Sequence, residues 1–460
     1  MKWEYIKYKI RDFSTQISKQ KRKKIKDREE DLETHLKVIK DKLDEMDGVS
    51  IIEEEEYEKV KRELKEIQNI KTDGVILRCK VRWFEEGEKD SNYFFNLEKH
   101  NGVKRHIKKL TKIDGNNTTD PKEILDLEKE FYENLYANKS TKSFDQINSY
   151  VQDVEMPSLS EDDKGLLDTA INENECWETL KTFKNNKTPG NDGIPAEFYK
   201  KFWTLFSTYM IDSFNETFIK GELSISQKQA IITLLDKKKD RTLLKNWRPI
   251  SLLNVDYKIL SKTISKRLVN ILPDLIHCDQ AGYVKGRYIG QNIRTIIDLL
   301  NYTKTENKPG ILISVDFEKA FDSLSWDFMN SVLLKYNFGQ NFIKWVNIFY
   351  TNVTSCMINN GHTSPYFNIA RGVRQGDPLS PYIFILCVEI LACKIRQSEN
   401  IKGIPMPCDT GQCEVKILQY ADDSTILVND EKSILEVFHI IDKFTVFSGL
   451  VLNRNKTEAI

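Results

Sequence analysis

The sequence predicts an α+β protein preceded by a helical extension. Three observations carry that expectation. The first 70 residues are about half charged and hold one narrow apolar stripe at helical spacing; residues 166–310 are dominated by helical periodicity with a single strand pair; and from residue 311 onward short β-branched runs alternate with helices.

In the first 70 residues, Leu32, Leu36, Ile39, Leu43 and Met46 fall on one helix face, and Asp47-Gly48 stops that helix. Ser50 with Glu53 three residues on reads as a capping box opening a second helix, whose stripe is Tyr57, Val60, Leu64 and Ile67. A charged, coiled-coil-like hairpin over 1–70 follows. Its stripe suits the hairpin's own partner helix, and self-association through these helices is the alternative. Residues 71–165 then mix a basic-aromatic segment around Lys80 to Phe95 with a hairpin turn at Asp114-Gly115. The polar stretch 138–165, ending near Pro157, reads as a linker. Beyond it the strand pair lies around Ala230 to Leu235 and Pro249 to Leu253, and Ile311 to Val315, Val415 to Gln419 and Thr425 to Val428 read as further strands.

A length of 460 residues with 40% hydrophobic content excludes wholesale disorder. The longest apolar stretch, Pro381 to Cys393, is interrupted by Glu389 and falls short of the roughly 20 residues of a membrane span. The N-terminus lacks a secretory apolar region, so an intracellular, non-secreted protein is expected, with nucleus or cytoplasm left open. Eight scattered Cys make neither a disulfide framework nor a zinc pattern. The net charge is zero, yet residues 181–310 carry 22 basic and 12 acidic side chains while residues 71–180 carry 16 and 23. A basic block beside acidic ones suits a polyanion-binding surface next to a cation-binding centre.

The carboxylates give that centre an address. The apolar run Ile311 to Val315 delivers Asp316 at its end, and Asp422-Asp423 occupy the tight turn between two apolar strands. Adjacent carboxylates at such a turn repel each other, a strain most easily tolerated where cations bind. An isolated Asp-Asp turn is more often just a solvated loop. If Asp316 lies on a strand beside that turn, three carboxylates converge in a layout that can hold two divalent ions for phosphoryl transfer. Oxygen-only ligands favour Mg²⁺ or Mn²⁺ over zinc.

In order and spacing, VDFEKAFD, RGVRQGDPLSP and YADD resemble the central polymerase motifs of reverse transcriptases. KTPGNDGIPAEFYKKFW, NWRPISLLNVDYKILSKTISKRL, HCDQAGYVKGRYIGQNI and GLVLNRNKTEAI are similar to the flanks of those motifs in non-LTR, LINE-type retrotransposons, and the resemblance extends over roughly residues 75–460. It implies a right-hand polymerase fold with a helix-rich fingers region over 166–310 and a palm over 311–460, an antiparallel sheet with helices. The reverse transcriptase domain spans roughly 218–460, and the thumb is expected to be absent from a partial chain.

The resemblance also implies residue roles. Asp316, Asp422 and Asp423 would be the catalytic metal carboxylates, with the Phe317 main-chain carbonyl a further ligand for two Mg²⁺ ions. Phe321 matches the steric gate against a ribose 2′-OH, Arg248 the arginine on the incoming triphosphate, and Lys237 the lysine beside it, although the usual Pro-Lys is replaced here by a Lys run. Gln375 and Gly376 sit at a turn where a small residue admits nucleotide and template, with Pro378 and Pro381 in the first turn of the following helix. Lys456 matches a lysine that approaches the pyrophosphate as a general acid. Asp322 has no metal role in the pattern and is expected to cap or pair locally. The implied function is RNA-directed DNA polymerisation with an RNA template, a primer-template duplex and dNTPs as partners; the alternative is an inert nucleic-acid-binding relic of such an element.

Overall fold

In the computed structural model, residues 2–45, 51–79, 107–112, 114–237, 239–408 and 411–460 are described. The chain forms two compact units, Met1–Trp3 with Lys109–Ile460, and Glu4–Lys108. The smaller unit is built on α1 (Lys2–Glu45) and α2 (Ile51–Cys79). Leu32, Ile39, Val60 and Ile67 are buried together, with Leu36, Tyr57 and Leu64 packed against them. The stripes are therefore used within the hairpin, and Arg28–Glu63 and Lys71–Glu29 pairs at 2.5 Å flank the seam. The second helix continues past residue 70 to Cys79. Met46, the Asp47-Gly48 stop, Ser50 and the segment from Lys80 to Phe95 lie outside the described residues, as do the side chains of Leu43 and Glu53.

In the larger unit, β1 (Leu110–Thr111) and β2 (Asn117–Thr118) close the expected hairpin, with Gly115 at φ +84° in its turn. Next comes α3 (Pro121–Tyr136), capped by Asp120 and started by Pro121. Its residues Ile124, Glu128, Tyr132 and Tyr136 recur every fourth position and are all buried. The stretch expected to be a linker instead holds α4 (Phe144–Gln152) and α5 (Glu161–Asp168). Its serines are helix caps: Ser143 closes a capping box with Gln146, and Ser160 accepts from the Asp163 amide. Ile147, Val151, Val154 and Leu159 anchor the stretch in the core. Polar composition reported the caps and hid the four anchors between them.

Helices α6 (Glu173–Lys181) and α7 (Ala196–Lys220) lead to the expected strand pair, β3 (Gln229–Asp236) and β4 (Trp247–Leu252), which is antiparallel. Then follow α8 (Val255–Val269), α9 (Ile289–Thr305), β5 (Ile311–Val315), α10 (Trp326–Lys335), α11 (Gln340–Tyr350) and the strands β6 (Thr354–Asn359), β7 (His362–Thr363) and β8 (Phe367–Asn368). Helix α12 (Ser380–Gln397) is buried along nearly its whole length and forms the centre of the core. It starts at Ser380 with Pro381 in its first turn, so Pro378 precedes it. The chain closes with β9 (Ile404–Cys408), β10 (Gly411–Val415), β11 (Ile417–Tyr420), β12 (Asp423–Val428), α13 (Glu431–Ser448) and β13 (Glu458–Ala459). Val415 belongs to the β9–β10 hairpin, not to β11. Cys413 on β10 is disulfide-bonded, which the scattered Cys pattern did not signal.

Two sheets organise the unit. One is wholly antiparallel, in the order β11-β12-β5-β13. The other runs β4-β3-β6-β7 with β8 also on β6, and is mixed because β3 and β6 are parallel.

Candidate active site

Strand register brings two of the three sequence-distant carboxylates side by side. Val315 at the end of β5 pairs with Ser424 of β12, and Tyr420 of β11 pairs with Asp423. One step beyond the Val315–Ser424 rung lie Asp316 and Asp423, and the loop joining β11 to β12 is only Ala421-Asp422. Ala421 sits at φ +58°, a conformation rare for a residue with a β-carbon. Asp422 is thereby presented at the tip of the turn.

The three carboxylates feel one another. Burial, then Asp423 and Asp316, pushes the Asp422 carboxyl above its ordinary range, against its own backbone amide and Arg248. Burial and Asp316 do the same to Asp423, with Lys456 opposing. Asp316 is engaged otherwise: its Oδ2 accepts from the Lys456 ammonium at 2.6 Å and from Asn453 Nδ2 at 3.0 Å. The Asn453 amide also donates to the Asp316 carbonyl at 2.8 Å. As the side chains stand, no group of three or more His, Cys, Asp or Glu that could hold a metal ion is found among the described residues. The donor chemistry suits a hard divalent cation, and the backbone register supplies the adjacency.

Cations approach from the other sheet. Arg248 on β4 pairs in register with Leu235 on β3, and Lys237 follows directly after β3. Partial burial lowers the Lys237 ammonium, as do Arg248 and Lys456, while Asp322 and Asp316 oppose. Lys237, Arg248 and Lys456 therefore share one field with the carboxylates. Lys238 lies outside the described residues.

The Gln375 carbonyl accepts from the Ser251 amide of β4 at 2.8 Å. Gly376 has φ +113°, and a β-carbon there would lie 2.7 Å from the Ser251 carbonyl oxygen. The close approach this glycine permits in the structure is thus to β4. Phe321 is half-buried, its ring stacked on Phe384 at 4.3 Å. The Phe317 side chain is buried edge-on to Phe444.

Asp322 is wholly buried, and its side-chain partners are not the local ones expected but lie 186 and 53 positions away. Its Oδ1 accepts from Tyr136 Oη at 2.8 Å and its Oδ2 from Gln375 Nε2 at 2.9 Å. Burial raises its carboxyl to about 6, against Lys319, Tyr136 and Gln375. Lys319 lies in the left-handed region at φ 44°, donates to the Trp247 carbonyl at 3.2 Å and sits over the rings of Phe131 and Tyr132. Burial pushes its ammonium down to about 8.

Three participants carry no local sequence signal. Tyr136 is one position of an apolar helix stripe, Asn453 is one of several polar residues in the terminal segment, and Gln280 touches the Ala421 backbone from 141 positions away.

Comparison with known proteins meets this geometry. The family described as reverse transcriptase (RNA-dependent DNA polymerase) matches residues 236–460. The Transposon TX1 uncharacterized 149 kDa protein of Xenopus laevis is 31% identical over 405 residues, 88% of this chain and 30% of that protein. A retrovirus-related Pol polyprotein from the type-1 retrotransposable element R2 of Popillia japonica is 23% identical, over 59% of this chain and 37% of its own. The corresponding polyprotein from the type-2 retrotransposable element R2DM of Drosophila melanogaster is 28% identical, over 59% and 24%. The chain thus spans between 24% and 37% of the length of these relatives.

Proposed function

We propose that this chain, whose residues 236–460 match the reverse transcriptase family and which is similar to proteins of non-LTR retrotransposons, is an RNA-directed DNA polymerase. It would add deoxynucleotides to a primer 3′-OH on an RNA template by two-metal phosphoryl transfer. The observation that carries this reading is the placement of Asp316 just past the end of β5 and Asp423 at the start of the neighbouring β12, with Asp422 at the adjoining turn tip, in the field of Lys237 and Arg248.

In this reading the β11-β12-β5-β13 sheet and its helices are the palm, and β3–β4 with the helices of 166–310 are the fingers. Asp316, Asp422, Asp423 and the Phe317 carbonyl would hold two Mg²⁺ ions, with Mn²⁺ an acceptable substitute. Bound ions of this kind lower the pKa of the attacking hydroxyl and steady the pyrophosphate leaving group. The chain's own residues do the rest. Lys456, now on Asp316, would move to the triphosphate and give its proton to the leaving pyrophosphate. Lys237 supplies a point charge and Arg248 a planar fork for the phosphate oxygens. The Phe321 ring, backed by Phe384, excludes a 2′-OH by contact. Gln375 and Gly376, tied to β4, line the path of template and nucleotide.

The engagement of Asp316 by Lys456 also suits a second reading, an inert nucleic-acid-binding relic. Primer extension and filter binding on poly(rA)/oligo(dT) separate the two. Polymerisation that depends on Mg²⁺ and is lost in Asp422→Asn supports the first. Tight binding with a steep salt slope but no incorporation supports the second.

A further inference from the structure

We propose that Gln280 is the positioning residue of the Ala421-Asp422 turn, holding Asp422 where polymerisation needs it; the inference rests on the reading that Asp422 carries that reaction. Gln280 lies between α8 and α9 and is fully buried. Its Oε1 accepts from the Ala421 amide at 2.9 Å and its Nε2 donates to the Ala421 carbonyl at 3.3 Å. Both main-chain groups of the left-handed residue are thus held by one side chain. A conformation of that kind persists when its surroundings over-determine it.

The clamp is itself clamped. Oε1 also accepts from the Gly282 amide at 2.8 Å, which fixes the rotation of the carboxamide. The backbone on either side runs parallel to β11: Gln419 donates to the Asp279 carbonyl and Ala281 to the Gln419 carbonyl, each at 2.9 Å. Asn292 Nδ2 on α9 donates to the Gln419 and Asp279 carbonyls at 2.8 and 3.2 Å. The Asp279 carboxylate accepts from Arg396 at 2.6 Å, tying the segment to the buried helix α12. Gly282 makes the approach possible, since a β-carbon there would lie 2.4 Å from the Ala421 nitrogen. Its φ is not in the positive region, so alanine is tolerated by the local backbone, and the nearest atoms its β-carbon meets belong to the turn and the Gln280 carboxamide. Gln280 and Gly282 therefore act on the turn from one side by two different means.

The full chain is tested with Gln280→Met, which keeps length and removes the fork, and Gly282→Ala, which pushes on the turn. Displacement of a reacting group by about 1 Å costs on the order of 100-fold in rate. Both variants should lose about that much kcat in primer extension, with dTTP KM and primer-template affinity within about twofold of wild type. The melting temperature should move by about 5 °C or less. In parallel, hydrogen exchange at the Ala421 amide should accelerate in Gln280→Met. Wild-type kcat in both variants overturns the proposal, as does a kcat loss that merely tracks lost melting temperature and lost nucleic-acid binding. If the wild-type chain incorporates nothing, the polymerase reading fails and the exchange measurement alone decides: equal exchange in wild type and Gln280→Met refutes the clamp.

Discussion

Replacing Tyr136 by phenylalanine removes one hydroxyl and leaves the buried Asp322 carboxylate with Gln375 as its remaining side-chain donor. A hydrogen bond to an ionised group contributes about 1.5–3 kcal/mol, a neutral one about 1 kcal/mol. Which figure applies depends on pH. The Asp322 carboxyl titrates near about 6, above the ordinary 3.8, so the folded state keeps its proton to higher pH than the unfolded state. Stability from this group therefore falls as pH rises from about 4 to about 6. Tyr136 favours the ionised form, so its loss extends that fall to higher pH. For a unit of about 350 residues, about 1.5–3 kcal/mol corresponds to about 2–4 °C in Tm, and about 1 kcal/mol to about 1 °C. Thermal unfolding of Tyr136→Phe against wild type should show the larger loss at pH 8 and the smaller at pH 5. An equal loss at both, or a larger one at pH 5, refutes the assignment of Asp322 as an anion that Tyr136 holds.

Phe321→Ala should lower the preference for dNTPs over rNTPs by about 10- to 200-fold in kcat/KM, the range of one lost apolar contact; unchanged discrimination removes the gate. Gly376→Ala combines a positive φ with a 2.7 Å collision against Ser251, and should cost on the order of 2–3 kcal/mol in chemical denaturation. The buried Glu128, which accepts only from Asn359 Nδ2 among the hydrogen bonds described, is pushed up by burial to about 8. Its folded value lies above 4.5, so its contribution to stability declines between about pH 5 and pH 8. Glu128→Gln has no such decline, and its Tm relative to wild type should climb across that window; a constant difference contradicts the burial argument.

Local pattern was enough where structure is local. β5 ends at Val315 as its apolar run predicts, β3 and β4 form the expected strand pair, and the N-terminal stripes are buried in their own hairpin. Residues 138–165 misled because capping serines and aspartates have the composition of a linker, while the four anchoring apolar residues are too sparse to show a period. Within the site, the Asp residues were legible because carboxylates at a strand end and a tight turn are unusual. The groups that hold them were not. Gln280, Asn453 and Tyr136 act through contacts made across 141, 137 and 186 positions, and no periodicity encodes such a contact. The Lys456–Asp316 pair is of the same kind: the lysine was visible, its partner only in three dimensions.

The central claim is that the carboxylates gathered at the ends of β5 and β12 polymerise DNA on RNA. It is tested most directly by single-nucleotide incorporation of dTTP on poly(rA)/oligo(dT) with Mg²⁺, comparing wild type with Asp422→Asn after both are shown to melt alike and to bind the primer-template alike. The account predicts incorporation by wild type and a loss of about 1000-fold or more in the variant, as expected where electrostatic stabilisation supplies about 4 kcal/mol. Equal incorporation by both, or none by a wild-type chain that binds the duplex, would contradict it.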